Sequence, residues 1–310
     1  MTGPQRSQRI VCFGECMIEL SRVPDQEMWS ISFGGDCANV AIYCARLGLE
    51  THFMSATGQD PYSASMRAFL TAEGVCDDLL LVHHDRLPGL YAIQTDASGE
   101  RTFTYWRDSS AARGFHEVEG SAQALQNASE ADVFYLSGIT LSLFDRNYRA
   151  QIAELARSVR ARGGHVAFDG NYRARGWADP AAAREAVASM AGHCSIALPT
   201  FDDERALHGD THEDQAIRRW HDAGVDLVVL KVGAEGAVVS SKDGTAERVP
   251  IAQPRDAYDT TGAGDSFNAG FLSAYLAGAT ALEAAAAGNR LAGEVVMHPG
   301  AIIPAEAMPV

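Results

Sequence analysis

The chain opens on an apolar run that breaks early. "RIVCFGECMIEL" at 9–20 predicts β-structure interrupted at Gly14. "GGDCANVAIYCARLG" at 34–48 then sets Val40, Ala41, Tyr43, Cys44 and Leu47 at helical spacing, and Gly48 closes the stripe. From 87 to 107 the pattern alternates and is rich in Tyr, Ile, Thr and Phe, which predicts a β-hairpin turning at "DASGE". After residue 130 the rhythm changes to strand, helix, strand. "DVFYLSG" leads into a helix that ends at "RGGHVAFDG", and "SIALP" and "DLVVLKVG" are two further short apolar strands. "GAVVSSKDGTAERVP" predicts a hairpin turning at Asp243-Gly244, and two helices finish the chain.

Strands alternating with helices of this length predict an α/β fold, a mostly parallel sheet covered on both faces, in a single domain spanning 1–310. The aromatic β-segments near 17–32 and 87–110 do not fit the alternation. They read as a small separate sheet, a lid over one edge of the body.

Composition narrows the function. The formal net charge is −15, with no basic run to neutralise phosphates, which argues against a nucleic-acid partner. No apolar run is long enough to span a bilayer, and the N-terminal apolar stretch is too short and too soon charged for a signal peptide. A cytoplasmic protein without a membrane partner is the expectation. The six cysteines lack zinc-ligand spacing; Cys37 and Cys44 fall in the helical stripe as small buried hydrophobes. His83 and His84 sit in a polar stretch that reads as surface. In so acidic a chain, an anionic substrate depends on a few placed cations and backbone N–H groups.

The stretch "DTTGAGDSFNAG" at 259–270 supplies such groups. Gly262, Ala263 and Gly264 precede a helix, so their N–H groups and the helix dipole form a site for phosphate or a developing anion. Asp265 stands at the mouth of that site, placed to take a proton from an attacking hydroxyl. The bland alternative is an ordinary acid in a helix's first turn.

"DTTGAGDSFNAGF" resembles the C-terminal signature of the ribokinase-like, or PfkB, carbohydrate kinases, and "FGGDCANVAIYCARLG" is similar to their N-terminal glycine-rich signature. "GECMIELS", the segment at 87–107, "AFDGNYRARGW" and "GAIIP" are most similar to the 2-keto-3-deoxygluconate kinases within that family. The resemblance implies a three-layer α/β/α fold and ATP-dependent transfer of phosphate to the terminal hydroxyl of that sugar acid. A kinase for a neutral sugar such as fructose or ribose is the enzymatic alternative. A catalytically silent sugar-binding regulator on the same fold is the other.

By motif position, the resemblance makes Asp265 the general base and Gly262, Ala263 and Gly264 the anion hole. Substrate contacts fall to Gly34 and Gly35, taken to leave room for the sugar, and to Asn39, Tyr91, Tyr105, Arg107, Asn171 and Arg173. Tyr91 and Tyr105 could equally be lid core. Lys231, Gly233, Gly236 and Asn289 are the implied nucleotide contacts, with a solvated Lys231 as the alternative. The family's Asn-x-x-Glu motif is replaced by "TFDD" followed by Glu204, leaving Asp203 as the acid for Mg²⁺; Asp259 is a candidate ligand for a monovalent cation, K⁺. Aromatic lid strands with an exposed edge predict a homodimer, or a higher homo-oligomer, built through the lid.

Overall fold

Short runs of Val, Ile, Phe and Leu buried on both faces make parallel strands, because helices must cover each side. A computed structural model describes residues 8–22, 27–95 and 101–309. Its strands are β1 (Arg9–Phe13), β2 (Met17–Arg22), β3 (Trp29–Gly34), β4 (Glu50–Thr57), β5 (Leu80–Val82), β6 (Leu90–Thr95) and β7 (Arg101–Trp106). They continue as β8 (Val133–Ser137), β9 (His165–Asp169), β10 (Ile196–Ala197), β11 (Leu227–Lys231), β12 (Ala237–Ser241) and β13 (Glu247–Val249).

Among the described residues, nine strands form the body sheet in the order β13-β12-β11-β10-β9-β8-β1-β4-β5. Pairing is parallel from β5 to β11 and antiparallel for β12 and β13. Val11 and Phe13 point into one core layer, and Ile10 and Cys12 into the other. The first layer is closed by the helices Arg146–Ala161, Pro180–Ala191 and Glu213–Asp222, and the second by Asp36–Arg46, Ala263–Leu276 and Ala281–Val295. This is the expected three-layer arrangement.

Strand order reverses beside β1: β4 and β5 extend one way, β8 to β11 the other. A crevice at the carboxyl ends of the strands forms where order reverses. The second sheet, β3-β2-β6-β7, covers that end, with β2 leaving directly from the end of β1. Alternation gives this sheet two faces. Met17, Tyr91, Ile93, Phe103 and Tyr105 pack together on one face, while Trp29, Ile31 and Trp106 lie exposed on the other.

The lid segments, the Asp243-Gly244 hairpin and the two closing helices follow the sequence reading. The "DASGE" turn lies outside the described residues. Cys37 and Cys44 are fully buried. Two expectations change. The helix at 36–46 ends before Leu47, which is exposed, because Gly48 adopts φ 89° and turns the chain away. His83 is buried, its Nε2 against the Glu117 carboxylate at 3.2 Å, while His84 is exposed. Among the described residues no group of three His, Cys, Asp or Glu could hold a metal ion, and no helix is long and apolar enough to cross a membrane.

Candidate active site

The strand ends and the lid enclose a cleft of about 1240 Å³, and every candidate from the sequence except Gly34 lines it. Gly34 is buried instead, where an added β-carbon would sit 3.0 Å from the Tyr91 hydroxyl. Gly35 lines the cleft, but the space it leaves is not room for the sugar. A β-carbon there would lie 2.0 Å from the carbonyl oxygen of Glu15, so glycine is required by backbone packing at the end of β1.

The helix Ala263–Leu276 begins at Gly262, whose φ of 74° suits glycine alone. A side chain at 262 would also strike Ala301, 2.8 Å from its Cα and its carbonyl oxygen. The carboxylate of Asp259 fastens this turn, accepting the N–H of Thr261 at 2.9 Å and of Gly300 at 2.6 Å. Tyr43, fully buried, donates to the Ala301 carbonyl at 2.7 Å and accepts from the Ile303 N–H at 3.1 Å. The "GAIIP" tail is thus a brace for the turn before Asp265. The N–H of Ala263 turns toward the Thr260 carbonyl at 3.3 Å, and that of Ser266 toward Gly262 at 2.8 Å. Gly264 and Asp265, between them in the first turn, have no acceptor within the helix, as its geometry dictates.

Asp265 receives a hydrogen bond from the Asn39 side-chain amide at 2.7 Å. Burial and then the neighbouring Asp36 carboxylate push its pKa up to about 7, against the lowering effect of that hydrogen bond. Asp36 accepts from the Asn171 side chain at 2.8 Å. Asn171 has φ 32°, the one positive value at a non-glycine among the described residues. Its backbone N–H donates to Asp169 at 3.1 Å, so both its polar ends are held in that conformation.

Asp169 also joins the two halves of the cleft. Its other oxygen accepts from Lys231 Nζ at 2.7 Å and from Asn268 at 2.7 Å. Lys231 further donates to the Asn268 carbonyl oxygen at 3.0 Å, and Asn268 to the Tyr135 hydroxyl at 3.0 Å. A β-carbon on Gly264 would lie 3.6 Å from Lys231 Nζ. The ammonium therefore sits beside the helix start, buried, with two of its three donors held by Asp169 and Asn268. The alternative of a solvated lysine is excluded.

On the lid, the Tyr91 and Tyr105 rings pack at a tilt with centres 5.8 Å apart, and Phe103 completes the cluster. They are lid core and cleft wall together. The Tyr91 hydroxyl donates to Glu19, and Arg107 contacts the buried Glu15 as an ion pair. Arg173 pairs with Asp203 at 2.8 Å, and burial raises the Asp203 pKa against the lowering effect of that arginine. Glu204 turns the other way, into a buried cluster with Arg219 and Asp210, and does not reach the cleft. Gly233 and Gly236 border the turn after β11; Asn289 donates to the Val249 carbonyl at 2.9 Å and so fixes the loop beside them.

Sequence reasoning missed Asp36, Glu15, Asp169, Asn268 and Tyr43. Asp169 alone carried a signal, since it ends an apolar strand in "HVAFD"; the others gain meaning only through partners more than ninety residues away, as in the bond from Asn268 to Asp169.

A cleft at reversed strand order, with a buried carboxylate beside a helix N-terminus and an aromatic sheet over it, is the arrangement expected of a ribokinase-like kinase. Residues 7–308 match the model of the pfkB family of carbohydrate kinases, and the chain belongs to that family. It is 42% identical to a 2-dehydro-3-deoxygluconokinase of Dickeya dadantii over 98% of this chain and 99% of that protein. A 2-dehydro-3-deoxygluconokinase of Escherichia coli is 41% identical over 98% and 99%. Among solved structures, an aminoimidazole riboside kinase from Salmonella enterica, complexed with aminoimidazole riboside and an ATP analogue, superposes with a TM-score of 0.80. It is 28% identical and covers 95% of each chain.

Proposed function

We propose that this protein phosphorylates 2-dehydro-3-deoxygluconate (2-keto-3-deoxygluconate) at its terminal hydroxyl, with ATP as donor. The observation that carries the reading is Asp265 hydrogen-bonded to Asn39 beside the Gly262–Gly264 turn, in a chain over 40% identical to two named kinases for this sugar acid. The hydroxyl's proton passes to Asp265 as its oxygen bonds to the γ-phosphorus. The bond from that phosphorus to the β,γ-bridging oxygen breaks, and ADP leaves with the electron pair. Lys231 and the N–H groups at the helix start hold the transferring phosphoryl group. Tyr91, Tyr105, Arg107, Asn171 and Arg173 hold the sugar acid from lid and floor, and Gly233, Gly236 and Asn289 frame the nucleotide.

Magnesium, bound with ATP, would offset the charge of the phosphates. Asp203 fits a contact through its water shell, since the carboxylate borders the cleft and keeps one oxygen beyond its bond to Arg173. Asp259 is the one residue we assign to a monovalent cation, and no step passes through that ion. The exposed Trp29, Ile31 and Trp106 face of the lid suits a second copy of this chain, and sedimentation would read that assembly.

Measured ADP release with a panel of sugar acids, fructose and ribose tests the reading. We expect 2-dehydro-3-deoxygluconate to give the highest kcat/KM. Preference for a neutral sugar would leave a kinase of another specificity; binding of the sugar acid without ADP release would leave a silent binder.

A further inference from the structure

The charges at the lid corner of the cleft do not cancel. Arg107, just past β7, is matched by Glu15, whose side chain is 1% exposed. Across the cleft Arg173 is matched by Asp203. Arg113, in the turn Ala112–Glu117, lines the same cleft, yet no carboxylate lies within ion-pair distance of it among the described residues. Its Nε donates to the Arg107 carbonyl at 3.2 Å, and its Nη1 to the carbonyls of Ser142 and Leu143, each at 3.4 Å. These are long bonds to neutral acceptors. Glu15 is thus one buried negative charge facing two guanidinium groups. Asp108 is nearby but exposed, so water screens it.

The guanidinium is also fixed in place. A β-carbon on the next residue, Gly114, would lie 2.7 Å from the His83 ring and 2.9 Å from Arg86 Nε, so this turn is seated hard against residues 83–86. The Ala111 N–H donates to the Leu87 carbonyl at 2.8 Å. Burial lowers the Arg113 pKa and Arg107 lowers it further, while Glu15 and Asp108 raise it, with a net lowering.

We propose that Arg113 is a specificity-determining residue that takes the substrate's carboxylate, with Glu15 cancelling Arg107 so that the Arg113 charge stays available to the ligand; Arg175, which also lines the cleft, lies over the Tyr105 ring at 5.7 Å instead. A planar fork with unused donors matches a carboxylate in geometry as well as charge. The inference rests on the sugar-acid reading above. Its competitor is that Arg113 only ties the end of the lid to the body through three carbonyls.

The two separate in the kinetics of Arg113→Gln and Arg113→Lys in the full-length protein. The glutamine keeps a donor for the carbonyls and drops the charge; the lysine keeps the charge. For Arg113→Gln we expect KM for 2-dehydro-3-deoxygluconate to rise about 30-fold or more, with KM for ATP within about twofold and kcat within about threefold. Arg113→Lys should recover most of that loss, and its KM should rise with added salt as wild type's does. A glutamine variant with KM for the sugar acid within about twofold of wild type would overturn the assignment. So would equal losses in the two variants, or a fall in kcat with both KM values unchanged, because a tether explains either. If wild type itself turns over neutral sugars and not the sugar acid, the functional reading fails first and this inference with it.

Discussion

The floor and the lid of the cleft hold their functional groups by different means. On the floor, Asp169 ties Lys231, Asn268 and Asn171 together at 2.7 to 3.1 Å, and the Asp259 carboxylate pins the turn before the catalytic helix. On the lid, the working face is three packed aromatic rings, and Arg107 meets a single carboxylate from another segment, that of Glu15. A hydrogen-bonded floor is pre-organised for charge that develops during transfer, where reorganisation would cost rate. An aromatic, alternating lid is shaped for fit and exclusion of water. Changes on the floor should therefore fall on turnover and ATP, and changes on the lid on the sugar.

The largest effect belongs to the floor. Asp265→Asn removes the base but keeps an oxygen for the Asn39 amide, so the site's geometry should survive. We expect kcat to fall roughly 10²- to 10⁴-fold with KM for the sugar acid little changed. Turnover within a few-fold of wild type would show that another group takes the proton.

A smaller pair of effects draws the line between the two walls. Arg107→Ala leaves the Glu15 carboxylate buried without its partner, next to where a substrate anion must come. KM for the sugar acid should rise about 30-fold while KM for ATP stays within about twofold. Lys231→Met should do the reverse, raising KM for ATP and lowering kcat, because it strips the fixed cation from the helix start. Steady-state kinetics varying each substrate in turn reads both. If the two variants gave the same profile, the division between floor and lid would be wrong.

These two walls were not equally legible in the sequence. The lid was, because alternation writes each strand's face locally: Tyr91, Phe103 and Tyr105 sit two residues apart or directly opposite, and all point one way. The turn before Asp265 and the helix start after it were legible too, since glycines and an acid there announce a helix N-terminus within seven residues. The floor's network was not. Asp169 and Asn268 are ninety-nine residues apart, and although Asp169 stands out at the end of an apolar strand, nothing local names its partner. Gly35 lines the cleft, but the reason for glycine there was hidden, because the obstacle it avoids, the Glu15 carbonyl, comes from a turn twenty residues earlier in the chain. Charge pairing was the other hidden layer: counting arginines finds Arg107 and Arg173, but only the fold shows that both already face acids.

The base's environment gives a smaller and more graded effect. Asp265 must be ionised to take a proton, and its pKa is pushed up to about 7 by burial and by Asp36. The kcat/KM for the sugar acid should then fall on the acid side of about pH 7, approaching tenfold per pH unit. Asp36→Asn removes one of the three raising causes, which are burial, Asp36 and Asp169, so the acid limb should move to lower pH whatever happens to the absolute rate. A limb that stayed in place would separate Asp36 from the base.

The smallest effect is on stability, and its sign follows from the same shift. An unfolded chain releases the Asp265 proton near pH 4, whereas the folded protein keeps it until about pH 7. Between those values the folded state binds more protons than the unfolded state, so raising the pH costs stability across that window. Above it, the folded protein carries a buried carboxylate crowded by Asp36 and Asp169, with only Asn39 and Lys231 opposing. Asparagine at 265 never ionises and escapes that cost. Asp265→Asn should therefore melt higher than wild type at pH 8, by about 2–5 °C, with the gap narrowing as the pH falls toward about 4. Thermal unfolding of both proteins at several pH values, without ligands, measures it. A variant that melts lower at pH 8, or a gap that does not change with pH, would mean the floor accommodates the ionised base without strain. The expected result instead makes the catalytic carboxylate a place where the fold gives up stability for chemistry, which the lid's packed rings, carrying no buried charge of their own, do not.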